Sequence, residues 1–277
     1  MAPPIVRGTA AWRYFGDFRD VLLAGQVLVL QVAHPVVAAG VRDHSDYRED
    51  PWTRLMRTGA SLSIYVYGGV AGARFEAERL RELHRKFTGI ADGRRYSALN
   101  PAAYAWVHAT LVMAPVDAQR FFGRPLSTSE LDEYYAQMCG VGRILGIRDF
   151  PPTWPDFVRY YDEMVAGFSP NETIETLLET ASTVGKPFSW LPSSWWPPVR
   201  KGQTFLIRAT IPAELRTRLG LEWTVADERK FARFQRVVRI LGAVTPPPLR
   251  TAHMRWIGKL NVWLRAHPWA YRFFVRS

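Results

Sequence analysis

The chain has 277 residues, 48% of them hydrophobic, and a formal net charge of +11. That composition supports a sizeable core and excludes long disorder. The basic residues are spread rather than clustered, which argues against a nucleic-acid reader. The single cysteine, Cys139, excludes an intramolecular disulfide and any multi-cysteine zinc or iron–sulfur site.

In chain order, the first 15 residues carry no signal-peptide core, so a cytoplasmic protein is expected. Val21 to Val41 is uncharged and long enough to span a bilayer, but Gln26, Gln31, His34 and Pro35 favour a buried core helix. Asp50-Pro51 reads as a cap and first-turn proline opening a helix to about Tyr67, closed by Gly68-Gly69. Phe75 to Phe87 reads as a charged surface helix. Asn100-Pro101 opens the helix that carries His108, and Ser127-x-x-Glu130 is a capping box for a helix to about Leu145. Thr153 and Asn171 cap the next two helices. Lys186 to Val199, rich in proline and tryptophan, is expected to be irregular. Helical stretches follow near Ala226 to Leu241 and Thr251 to Phe274, split by three prolines at 246–248. No alternating strand stands out. The expectation is one all-α domain of roughly nine to eleven helices.

No P-loop, H-E-x-x-H, G-x-S-x-G or E-x-x-H pattern is present, and the G-V-G of Cys139 to Gly146 follows a helical pattern and not a strand. The histidines therefore carry the chemical question. His84 sits among arginines and glutamates and reads as solvated; His253 and His267 read as surface residues. His108 is different. Its helical neighbours Tyr104, Ala105, Leu111 and Val112 are small or apolar. A buried imidazole needs a partner, either a backbone carbonyl or a metal. His34 stands before Pro35, where a kink is expected. His44-x-Asp46 has the spacing of a non-haem iron triad, a short pattern that is frequent by chance.

The stretch from Gln31 to Thr58, QVAHPVVAAGVRDHSDYREDPWTRLMRT, resembles the family of the mycophenolic-acid oxygenase MpaB and the latex-clearing protein, a rubber oxygenase. Gly93 to Val112 and Tyr134 to Ile147 resemble it too. The likeness spans about Val21 to Met164, and the helical part from about 200 to 277 matches loosely. The resemblance implies a single all-α domain that binds b-type haem. It implies His108 as iron ligand, with Arg54, His34, His44 and Arg143 as further cofactor-binding candidates. Arg54, Arg57 and Thr58 fall where the family has R-x-x-K-T on the distal side. Arg57 and Thr58 are then the candidates for stabilising bound dioxygen, and Arg54 for a haem propionate. Arginine keeps its proton, so Arg57 cannot ligate iron as a lysine can, and an open or water-bound sixth position is expected. Leu111, Val112 and Met113 depart from some latex-clearing members, which puts rubber cleavage in doubt.

The implied function is a haem-dependent oxygenase acting on an apolar substrate, an isoprenoid or other alkene, with dioxygen and an unidentified electron donor. Three rivals stand beside it: a non-enzymatic haem carrier or sensor; a non-haem iron oxygenase using His44 and Asp46; and a peripheral membrane protein. The last would use its basic, aromatic C-terminus, Arg255 to Ser277, and is compatible with oxygenase function.

Overall fold

A computed structural model describes residues 5–267. Fourteen α-helices occur among them: α1 (Ala10–Tyr14), α2 (Ala24–Ala33), α3 (Pro35–His44), α4 (Pro51–Tyr67), α5 (Gly69–Arg85), α6 (Pro101–Phe122), α7 (Thr128–Leu145), α8 (Trp154–Gly167), α9 (Glu172–Thr183), α10 (Trp196–Thr210), α11 (Ala213–Arg218), α12 (Val225–Val244), α13 (Pro247–Arg250) and α14 (Ala252–Ala266). The caps read from sequence form as expected. Asp50, Asn100, Thr153 and Asn171 each accept a backbone N–H three residues on, and Ser127 and Glu130 close a reciprocal box.

Helix α6 is the axis of the core. Trp106, Ala109 and Val112 are fully buried on it, and its neighbours are α2, α7, α12 and the 3-10 turn Phe18–Leu23. Polar bonds pin α2 to α6. The Trp106 indole donates to the Leu30 carbonyl at 2.7 Å, Gln31 donates to Thr110 at 3.1 Å, and Gln26 donates to Asp117 at 2.9 Å. On the other side α4 packs against α5 and α14, and α5 reaches α7.

The structure corrects several sequence expectations. The apolar stretch from Val21 to Val41 is not one helix. It is the end of the 3-10 turn, then α2 and α3, with a 106° bend at His34-Pro35. Proline removes the N–H that would continue the helix and pushes His34 into extended backbone. Among the described residues no single helix is long and apolar enough to cross a membrane; that bent pair passes on length and composition only. A short antiparallel hairpin also forms, β1 (Thr88–Ala91) with β2 (Arg94–Ser97). Its turn is Asp92-Gly93, both at positive φ, the pattern that the right-handed twist of a hairpin favours. The charged helix starts at Gly69, six residues before Phe75. The tryptophan-rich segment is partly regular, because Pro197 and Pro198 fall in the first turn of α10, where proline is tolerated. His84 is not solvated: it is half-buried between Phe87 and Tyr104. Helix α14 docks on α4, with Gly258 against the Ser63 carbonyl. Residues 268–274 of the expected last helix lie outside the described residues.

Helices α2 and α10 cross closely at Gly25, where a Cβ would stand 2.3 Å from Cγ1 of Ile207. Gly25→Ala is therefore expected to cost about 2 kcal/mol by overpacking, a Tm loss of roughly 4–8 °C. Gly59→Ala, where nothing lies within 4 Å of the added carbon, is the matched control in the same melting experiment. An equal loss at both sites would overturn the packing account.

Candidate functional site around His108

His108 lies two turns into α6 and is almost completely buried. Its Nε2 sits 3.0 Å from the Met138 carbonyl of α7. A carbonyl only accepts, so Nε2 carries a proton, and a lowered pKa keeps the ring neutral at pH 7. Burial drives its pKa down to about 4, against a smaller opposing effect of the Met138 bond. Gly142, one turn along α7, makes room for the ring: a Cβ there would stand 3.0 Å from Nε2. The G-V-G of α7 is thus a helix-packing device at its second glycine, not a nucleotide loop.

Rings run continuously from His108 to His34. Phe150 lies 5.1 Å from His108, followed by Phe157, Tyr161, Trp106 and Phe168, and Phe168 meets the His34 ring edge-on at 6.5 Å. This aromatic layer was visible in composition but not in its order, because its members come from α6, α8 and the segments flanking α8. His34 stands in the bend between α2 and α3, and its Nδ1 is buried with no hydrogen-bond partner. Burial lowers its pKa.

The other candidates lie elsewhere. His44 stacks on Phe87 at 4.9 Å and donates through Nε2 to the Thr88 carbonyl at 3.1 Å. Among the described residues no group of three His, Cys, Asp or Glu side chains gathers to hold a metal. Arg54 is half-buried, bonded to the Ser45 hydroxyl and lying over the Tyr47 ring. Desolvation lowers its pKa. Arg57 and Thr58 are exposed on α4, and Thr58 donates to the Arg54 carbonyl of its own helix at 3.0 Å. Helix α4 packs on α14, α5 and α1, whereas His108 faces α7. Arg143 is exposed one residue beyond Gly142 and lines a surface cleft of about 480 Å³ with Arg74, Glu78 and Arg81. The structure thus joins His108 and His34 through one aromatic layer, and Arg57 and Thr58 lie exposed on α4.

A family described as the catalytic domain of the ER-bound oxygenase mpaB/B′ and rubber oxygenase matches residues 12–240. The chain belongs to this oxygenase catalytic-domain family. The match runs from within α1 to most of α12 and so takes in the residues of the His108 helix, the aromatic layer and the bend at His34. Two relatives, Uncharacterized protein Mb2261 of Mycobacterium bovis and Uncharacterized protein Rv2237 of Mycobacterium tuberculosis, are each 25% identical over 265 residues. Each alignment covers 92% of this chain and 97% of the relative. No solved structure matches the chain.

In the conformation described His108 is closed to a haem: its Nε2 donates to the Met138 carbonyl and α7 is pressed against the ring at Gly142, so a haem would be held there only with α6 and α7 moved apart.

Proposed function

We propose that this oxygenase-family chain oxidises an apolar substrate with dioxygen, using b-type haem held through His108. The reading rests on the family match and on one observation, a neutral imidazole buried in the core helix. A neutral ring is the form a metal requires. It carries a structural condition: Nε2 must leave the Met138 carbonyl, and α7 must move away at Gly142. The aromatic layer between His108 and His34 supports an apolar rather than a polar substrate. A second reading, with His34 as ligand, is favoured by its unpartnered Nδ1.

The test is the absorbance spectrum of full-length protein produced with a haem precursor, beside His108→Ala and His34→Ala. A Soret band lost or shifted in His108→Ala alone is the expected result. Loss in His34→Ala alone moves the ligand to the bend. No band in the parent overturns the haem reading, leaving the chain in its family without that cofactor.

A further inference from the structure

Helix α12 presents an apolar stripe to solvent. Val237, Ile240, Leu241 and Val244 are each more than half exposed, and their i, i+3, i+4, i+7 spacing puts them on one face. The opposite face is the one that docks, through buried Phe231, Val238 and Gly242. Arg233 and Arg236 flank the stripe on its N-terminal side with Arg229 and Lys230 beyond them, Arg239 turns back to donate to the Arg120 carbonyl, and no acidic residue occurs from 229 to 244. Among the described residues, Arg229, Arg233 and Arg236 make no ion pair, and Lys230 reaches Asp227 only at 4.0 Å. Positive charge continues past the helix. Three residues after Val244, Pro247 and Pro248 line a cleft whose other walls carry Arg7, Arg13, Arg250 and Arg255. Leu249, between them, is exposed.

We infer that α12 is a docking surface for an anionic lipid bilayer, lying in the interface with its aliphatic stripe among the acyl chains and its arginines at the headgroups. The occupant follows from the pairing of the two features. A lipid surface takes both exposed aliphatic side chains and a cationic rim, whereas a nucleic-acid backbone has no use for the aliphatic side chains. A second copy of the chain fits poorly. Two-fold pairing would set four cations against four, over a stripe of four side chains, far short of the roughly 800 Å² per partner of a stable interface. The stripe itself lies on α12 and not on α14, which docks on α4, and the inference does not depend on the oxygenase reading.

The experiment is flotation of the full-length protein with phosphatidylcholine vesicles, with and without about 30% phosphatidylserine. The variants are Ile240→Glu with Leu241→Glu, and Arg233→Gln with Arg236→Gln. All four positions are exposed, so unchanged melting is the control for folding. Binding to the anionic vesicles is expected. It should fall to background in the glutamate variant and weaken about thirtyfold in the glutamine variant, at about fivefold per lost charge. No binding to anionic vesicles overturns the inference, and so does binding that both variants retain, which would shift the contact to residues 255–277. A dimer in vesicle-free sedimentation that Ile240→Glu with Leu241→Glu dissolves would assign the stripe to a second copy instead.

Discussion

Asp17→Ala is expected to destabilise the fold by about 4 kcal/mol, a Tm loss of roughly 8–16 °C, which thermal or urea unfolding would read directly. Asp17 and Arg19 are 1% and 3% exposed. The carboxylate receives Arg19 twice, from Nε at 2.8 Å and from Nη2 at 2.6 Å, and it also accepts the Arg19 backbone N–H at 3.1 Å. The remaining nitrogen donates to the Phe122 carbonyl at 3.3 Å. The guanidinium is walled in by glycines: a Cβ at Gly123 would stand 2.6 Å from Nη1, and one at Gly242 would stand 3.0 Å from it. Removing the carboxylate leaves a buried guanidinium without its bidentate partner, with only Asp20 acting on it at longer range, and that penalty dominates over the modest net worth of the intact pair. The double variant Asp17→Ala with Arg19→Met is accordingly expected to recover at least half of the loss, because it removes the stranded charge as well. A loss below about 1 kcal/mol in Asp17→Ala would mean that the pair is solvated, contrary to its burial. The consequence reaches the α12 surface, since Gly242 seats α12 on Arg19.

How much of this was legible follows from range. Caps act over three residues, so Asp50, Asn100, Ser127, Thr153 and Asn171 could be read from sequence, and the helices they open are present. The all-α class and the family were legible for a related reason, namely a long run of local signals from Gln31 to Thr58. The hairpin does not stand out in the sequence although its turn, Asp92-Gly93, carries a signal. The strands around it are four residues each and too short to alternate visibly. The bend at His34 was half-read: proline predicts a kink, but its size depends on how α3 packs against α9 and the hairpin. The candidate site was the least legible. His108 was singled out correctly as a buried imidazole in an apolar helix. Its partner is the backbone carbonyl that the sequence leaves as one of two options, but which carbonyl it is, 30 residues away, no side-chain pattern encodes. Arg54, Arg57 and Thr58 share a helical face in sequence, but what that face meets is a tertiary fact: Arg54 lies against Ser45 and Tyr47, and Arg57 and Thr58 are exposed. The Asp17–Arg19 pair escaped notice because two residues of opposite charge, two apart, look like any exposed turn.

The second large effect is acid destabilisation through His108. Its folded pKa of about 4 lies below the ordinary histidine value of 6.5, so the unfolded chain takes up the proton first. Stability from this ring is therefore complete above about pH 6.5. It declines as pH falls, by about 1.4 kcal/mol per unit, and levels off below about pH 4, a total of roughly 3 kcal/mol. Burial shifts His34 and His84 in the same direction, so the parent's own profile sums several rings. The difference between the parent and His108→Gln isolates this one. Glutamine offers an N–H to the Met138 carbonyl and does not titrate, so the stability advantage of the parent should shrink by about 3 kcal/mol between pH 7 and pH 4. Urea unfolding at four or five pH values would measure it. A difference that stays constant would mean that His108 titrates near its ordinary value, which requires water at Nε2 and therefore a seam between α6 and α7 that stands open. That outcome would remove the closed ring from the fold and, by the same stroke, supply the free nitrogen that iron ligation demands. A shrinking difference would establish that the seam is shut in the cofactor-free chain, so that any haem held at His108 must push α6 and α7 apart and break the Met138 bond to enter.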